Sequence, residues 1–182
     1  RDYGNRVGFW RMLEVLDSYR VRPTVSLNLA VLEHFPEIKD AMVQRDWAFM
    51  SHGFYNTRLL TNMPEDEERE FYRDSIETLR RHTGKQPKGM LGPAINQTVN
   101  TPDLMAEAGL TYHTDWFIDD QPVPINVRSG KLVSVPYSID TNDLAGTDAQ
   151  GHDAPYWAQA VKDQFDVLYR QGATNGRVMC VV

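Results

Sequence analysis

Apolar residues recur along this chain at two spacings, and the switches between them mark out its elements. Val7, Trp10, Leu13 and Leu16 lie three apart, so residues 5–19 read as an amphipathic helix. Thr24-Val25-Ser26-Leu27-Asn28-Leu29 alternates strictly and reads as a strand. Pro36 suits the first turn of a helix running to about Gln44, and Trp47 to Ser51 is the next strand. Thr61-Asn62-Met63-Pro64 supplies a capping side chain and a proline, and Glu65-Asp66-Glu67-Glu68 suits the positive end of a helix dipole. That helix stops at Arg80-Arg81-His82 and Gly84, so the acidic run reads as a helix start rather than a metal site.

Gly89-Met90-Leu91 is a short strand, Thr101-Pro102 opens a helix that Gly109 closes, and Leu110 to Thr114 is a further strand. Val123 to Val127 and Lys131 to Tyr137 flank Arg128-Ser129-Gly130 as a hairpin. Asp153-Ala154-Pro155 starts a last helix that ends near Gly172, and Val178 to Val182 reads as a final strand. Strands alternating with helices predict parallel strands covered by helices. The expected architecture is one α/β domain over residues 1–182, a barrel or an open sheet, with the hairpin as a decoration.

Composition narrows the function more than the fold. A chain of 182 residues is enough for one domain with a sizeable core. The net charge of −6 argues against a nucleic-acid backbone as the main partner. No apolar stretch approaches the roughly 18 residues of a membrane span. The single cysteine, Cys180, is expected on a buried strand and excludes an internal disulfide. It fits a reducing compartment, so a cytoplasmic protein is expected. Arg1-Asp2-Tyr3-Gly4 does not read as a secretory leader, and Val181-Val182 falls inside an apolar run. The chain is therefore expected to be a piece of a longer one, with catalytic groups beyond both ends. A homo-oligomer is left open.

Three polar clusters follow predicted strands, where ligands gather in α/β proteins. In Ser51-His52-Gly53-Phe54-Tyr55, His52 can bind a metal, move a proton or donate to a substrate oxygen. Asn56, four residues on, is a poor zinc ligand but a good hydrogen-bonding partner. The second cluster runs from Tyr112 to Pro122 and carries His113, Asp115, Trp116, Asp119 and Asp120. Carboxylates beside aromatics orient polar ligands, whereas Asp119-Asp120 before Pro122 can equally cap turns. The third, Ser138 to Asp143, contains Asn142 and reads also as an ordinary turn.

The order of elements through Ser51-His52-Gly53 and the long helix closing at Thr83-Gly84-Lys85-Gln86-Pro87 resembles the NodB-like polysaccharide deacetylases. So does Leu104 to Tyr112 with its acidic-aromatic loop. The resemblance covers essentially the whole chain. It implies a distorted (β/α) barrel and hydrolysis of C–N bonds in amides. Standard members remove acetyl groups from amino sugars, using an Asp-Asp pair, a His-x-x-x-His metal pair, an arginine-proline motif and a late Leu-His motif. His52 matches the first metal histidine, and Asn56 stands at the second. Leu91-Gly92-Pro93 stands at the arginine-proline motif. The Asp-Asp pair would precede Arg1 and the late histidine would follow Val182, so the barrel is expected to be truncated at both ends.

Asp119-Asp120-Gln121-Pro122 and Pro136-Tyr137 with Thr141-Asn142-Asp143 are similar to the branch containing allantoinase and cyclic imide hydrolases. The resemblance therefore implies hydrolysis of small cyclic amides by water. The alternatives are a metal-dependent N-acetyl-sugar deacetylase and a non-catalytic binder of sugars or amides. His52, Asp115 and Asp120 are the expected catalytic residues, with His52 binding a single divalent zinc or acting without metal. Tyr55, Asn56, Trp116, Asp119 and Asn142 are the expected substrate contacts.

Overall fold

The computed structural model describes residues 2–182. Its centre is a six-stranded sheet: β1 (Thr24–Leu27), β2 (Ala48–Ser51), β3 (Gly89–Met90), β4 (Tyr112–His113), β5 (Val123–Ile125) and β6 (Leu132–Ser134). The order is β1-β2-β3-β4-β6-β5. All pairs are parallel except β5 with β6, where Val123 faces Ser134 and Ile125 faces Leu132. The parallel strands follow one another without the reversal of order that defines a doubly wound sheet. This is the winding of a (β/α) barrel, here as an unclosed sheet. The hairpin is more than a decoration, because β6 continues the parallel sheet beside β4.

The helices are α1 (Phe9–Ser18), α2 (Ala30–His34), α3 (Pro36–Gln44), α4 (Glu65–Thr83), α5 (Thr101–Glu107) and α6 (Ala154–Gln171). The α4 stop matches the sequence reading: Gly84 takes a left-handed φ of 72° and its N–H returns to the Arg80 carbonyl. Its start does not match, because Pro64 occupies the N-cap and no side chain caps the helix. The first helix opens with a π-helical turn, Gly4–Gly8, and α1 begins only at Phe9. β1 ends at Leu27 rather than Leu29, and α2 was not foreseen. The Leu29 N–H bonds to the Gly53 carbonyl, and the chain coils from Ala30.

The expected last strand, Val178 to Val182, does not form. Its hydrogen bonds go to loops: Val178 N–H to the Asp120 carbonyl at 2.9 Å and Val182 N–H to Thr141 at 2.9 Å. Irregular loops cannot supply the regular partners of a ladder. Cys180 is accordingly half-buried and outside any strand.

Register sorts the two faces of the sheet. Leu27, Ser51, Met90, His113 and Ser134 lie side by side and share one face. That face packs on helices: Leu27 and Phe49 against Leu13, Ile38 and Leu79, and Met90 against Phe71, Tyr72 and Leu104. Each of these large side chains contributes about 1.5–3 kcal/mol by leaving water. Ser26, Met50 and Tyr112 lie on the other face and are half-buried. The Tyr112 ring lies over Gly89, where a Cβ would stand 2.1 Å from the ring carbons.

Candidate functional site

The ends of β2, β3 and β4 converge through one stretch of backbone. His52, just past β2, donates from Nδ1 to the Leu91 carbonyl at 2.7 Å, since a carbonyl can only accept. The next peptide N–H, that of Gly92, donates to Asp115 Oδ1 at 2.7 Å. Residues 91–92 thus tie the histidine of one strand end to the carboxylate of another. A side chain at Gly92 would place Cβ 2.9 Å from the Asn96 carbonyl oxygen and 3.4 Å from Asp115 Oδ2. Glycine is therefore what allows the carboxylate so close to the backbone.

His52 is half-buried, and burial is the main cause that lowers its pKa below the usual 6.5. The Leu91 carbonyl and the Asn56 side chain pull the other way. A neutral ring with Nδ1 protonated leaves Nε2 as a proton acceptor. Asn56 is held beside it by Asn28, whose Nδ2 donates to Asn56 Oδ1 at 3.0 Å. Asn28 and Asn56 thus form a hydrogen-bonded amide pair at the strand ends.

Asp115 has a fully buried side chain. Burial raises its pKa, while hydrogen bonds from Gln97 and Gly92 oppose the rise. Gln97 Nε2 donates to Asp115 Oδ2 at 2.7 Å, and Gln97 Oε1 accepts from the Trp116 indole N–H at 2.7 Å. His113 lies 3.9 Å from Asp115 and stacks edge-on with Trp116 at 4.7 Å between centroids. Its Nδ1 accepts from the Asp115 backbone N–H at 3.3 Å, and its buried Nε2 has no partner among the described residues. Burial lowers the His113 pKa to about 4.

Sequence reasoning passed over Gln97, which lies 18 residues before Asp115 and follows no strand. The Asn-Gln-Thr-Val-Asn run before Thr101 carried a polar signal without a direction. It also passed over Glu68. Glu65 and Glu67 behave as helix-start acids with exposed arginine partners. Glu68 is fully buried and accepts from the hydroxyls of Tyr72, Thr98 and Thr101. The spacing of Glu68, Phe71, Tyr72, Ser75 and Leu79 on one helical stripe was the available signal.

The other expected site residues lie apart from this group. Tyr55 is 54% exposed. Asp119 Oδ1 accepts from the Gln121 N–H at 3.1 Å, a turn-capping bond, and Asp120 is exposed. Both border an open concavity of about 570 Å³ with Phe117, Tyr137 and Asp140. Asn142 donates to the Tyr137 hydroxyl and accepts from the Leu144 N–H at 2.9 Å.

These residues do not make a zinc centre. The strand ends offer His52 beside two neutral amides and a fully buried His113 on the helix-facing side of the sheet, and both Asp115 oxygens already have donors. Among the described residues, no three histidine, cysteine or acidic side chains converge.

Comparison with known proteins fits this architecture. Residues 2–113 match the family described as polysaccharide deacetylase. A Schizosaccharomyces pombe protein named "Putative polysaccharide deacetylase" is 24% identical over 198 residues, covering 100% of this chain and 61% of that protein. The structure of a "probable Polysaccharide deacetylase" from Pseudomonas aeruginosa PAO1 is 32% identical with a TM-score of 0.88, covering 99% of this chain and 60% of that one. The structure of Puue Allantoinase is 31% identical with a TM-score of 0.88, at the same coverage of 99% and 60%. The chain thus spans about three fifths of these relatives. Together with the sequential parallel strands, the family match shows that this chain belongs to the polysaccharide deacetylase family.

Proposed function

We propose that the protein carrying this chain hydrolyses C–N bonds in small cyclic amides by attack of water. The observation that carries the reading is the join between His52 and Asp115 through the Leu91-Gly92 backbone, with asparagine and not histidine at position 56. The likeness to an allantoinase structure over 99% of the chain supports it.

In this reading, neutral His52 takes a proton from water at Nε2, and the hydroxide formed attacks the amide carbonyl. The imidazolium has an acceptor in the Leu91 carbonyl and another in the Asn56 side chain, which supports the transfer. The same proton then passes to the leaving nitrogen as the C–N bond breaks. Asp115, buried with a donor on each oxygen, holds the Gly92 backbone and, through Gln97, the Trp116 ring, which offers an aromatic wall to the substrate. The Gly92 N–H is given to Asp115, so the oxyanion donors lie elsewhere. No step requires zinc, and the substrate is a small molecule.

A second reading, removal of acetyl groups from N-acetylated sugars, is favoured by the family's description. The test assays the full-length protein against allantoin, hydantoins, cyclic imides and N-acetylated sugar oligomers, with bound metal measured in parallel. Ring opening is the expected result. Acetate release from sugars with stoichiometric zinc would overturn the cyclic-amide reading.

A further inference from the structure

We infer that Gln97 is a positioning residue whose single amide group orients Asp115 and Trp116 together, on a loop anchored by the buried carboxylate of Glu68. Its role in turnover rests on the amide-hydrolase reading, but the bridge itself does not.

The amide is oriented by its partners. The Trp116 indole N–H can only donate, so the Gln97 oxygen must face it. The amide nitrogen is then left to donate, and it faces Asp115 Oδ2. The bridge therefore requires a carboxylate oxygen free to accept, and it couples the charge state of Asp115 to the placement of the indole. Glutamine alone among the side chains of this size and charge presents both functions in one rigid plane. Glutamate would keep the acceptor for Trp116 and lose the donor for Asp115.

The loop carrying Gln97 is held at two points, Thr61 and Glu68. Asn96 accepts from the Thr61 backbone N–H at 2.6 Å and donates to the Thr61 hydroxyl. Thr98 donates to Glu68 Oε2 at 2.6 Å, and Thr101 and Tyr72 donate to Glu68 Oε1. Ahead of Gln97, Ala94 and Ile95 both hold positive φ, 54° and 55°. Such backbone is costly for residues with a side chain, and it is held by the Gly92–Asp115 bond before it and the Asn96–Thr61 bonds after it. A buried carboxylate that takes three hydroxyl donors is also costly without a use. Its bonds to Thr98 and Thr101, one and four residues past the bridging residue, supply one.

The titratable groups facing Asp115 are His113 on β4, Tyr72 on α4 and Tyr137 after β6. Loss of the Gln97 donor leaves these unchanged and removes one stabiliser of the carboxylate. The acid limb of activity then moves to higher pH.

The test compares wild type, Gln97→Leu and Gln97→Glu in the full-length protein with 15N-labelled indoles, the Trp116 signal being assigned by Trp116→Phe. In Gln97→Leu we expect the Trp116 indole N–H to exchange roughly tenfold faster, kcat to fall about 10- to 100-fold and the acid limb to rise. In Gln97→Glu we expect indole protection to be retained while the acid limb still rises. A role confined to folding would not separate the two readouts. Unchanged indole exchange and acid limb in Gln97→Leu would overturn the proposal. Faster exchange in Gln97→Leu with no amide turnover in wild type would uphold the bridge and sink the amide-hydrolase reading.

Discussion

Lowering the pH should destabilise this fold through His113. The residue is completely buried on the helix-facing side of the sheet, and its pKa falls from 6.5 to about 4. Between these two values the unfolded chain binds a proton that the folded chain does not. Stability from this residue is therefore fully present above pH 6.5 and is lost as the pH falls toward 4. The linkage amounts to about 2 kcal/mol at pH 5 and about 3 kcal/mol at pH 4. Asp115, 3.9 Å away, has its pKa raised by burial and so works in the opposite sense. The comparison must therefore hold Asp115 constant. Urea unfolding of wild type and His113→Leu, from pH 7.5 to 4, isolates the histidine: the difference between them should shift by about 3 kcal/mol over that range. The wild type should be the one that loses more. A difference that stays flat across the range would refute a buried neutral histidine.

Two further predictions concern the backbone and the buried acid. Gly92→Ala brings Cβ to 2.9 Å from the Asn96 carbonyl, so it should cost about 1–3 kcal/mol by thermal or urea unfolding and lower kcat more than it raises KM. Glu68→Leu strands the buried hydroxyls of Tyr72 and Thr101 and the half-buried one of Thr98, and should cost about 3 kcal/mol. Urea titration reads that loss, which an exposed helix-start acid such as Glu67 would not produce.

The sequence carried the order of most helices and strands along the chain because alternation and helical spacing are local signals. His52 was legible for the same reason: it directly follows a short apolar run. The bridge from Gln97 to Asp115 and Trp116 was not, because it is made by a loop folding back across 18 residues, and no spacing encodes that approach. Glu68 was hidden inside an acidic run whose other members face solvent. The helical stripe through Tyr72 and Leu79 was the only sign that it turns inward. Val178 to Val182 misled because five apolar residues look like a strand, while their hydrogen-bond partners turned out to be loops. The second cluster divides at Trp116: Asp115 and Trp116 join the strand-end group, and Asp119 and Asp120 border a separate concavity.

The most direct test of the account is the rate of cyclic-amide ring opening by the full-length protein, wild type beside His52→Gln, followed by appearance of the open-chain product. Wild type should turn over, and His52→Gln should lose about 100-fold or more in kcat, because an amide cannot take a proton. Equal rates in the two proteins would contradict it.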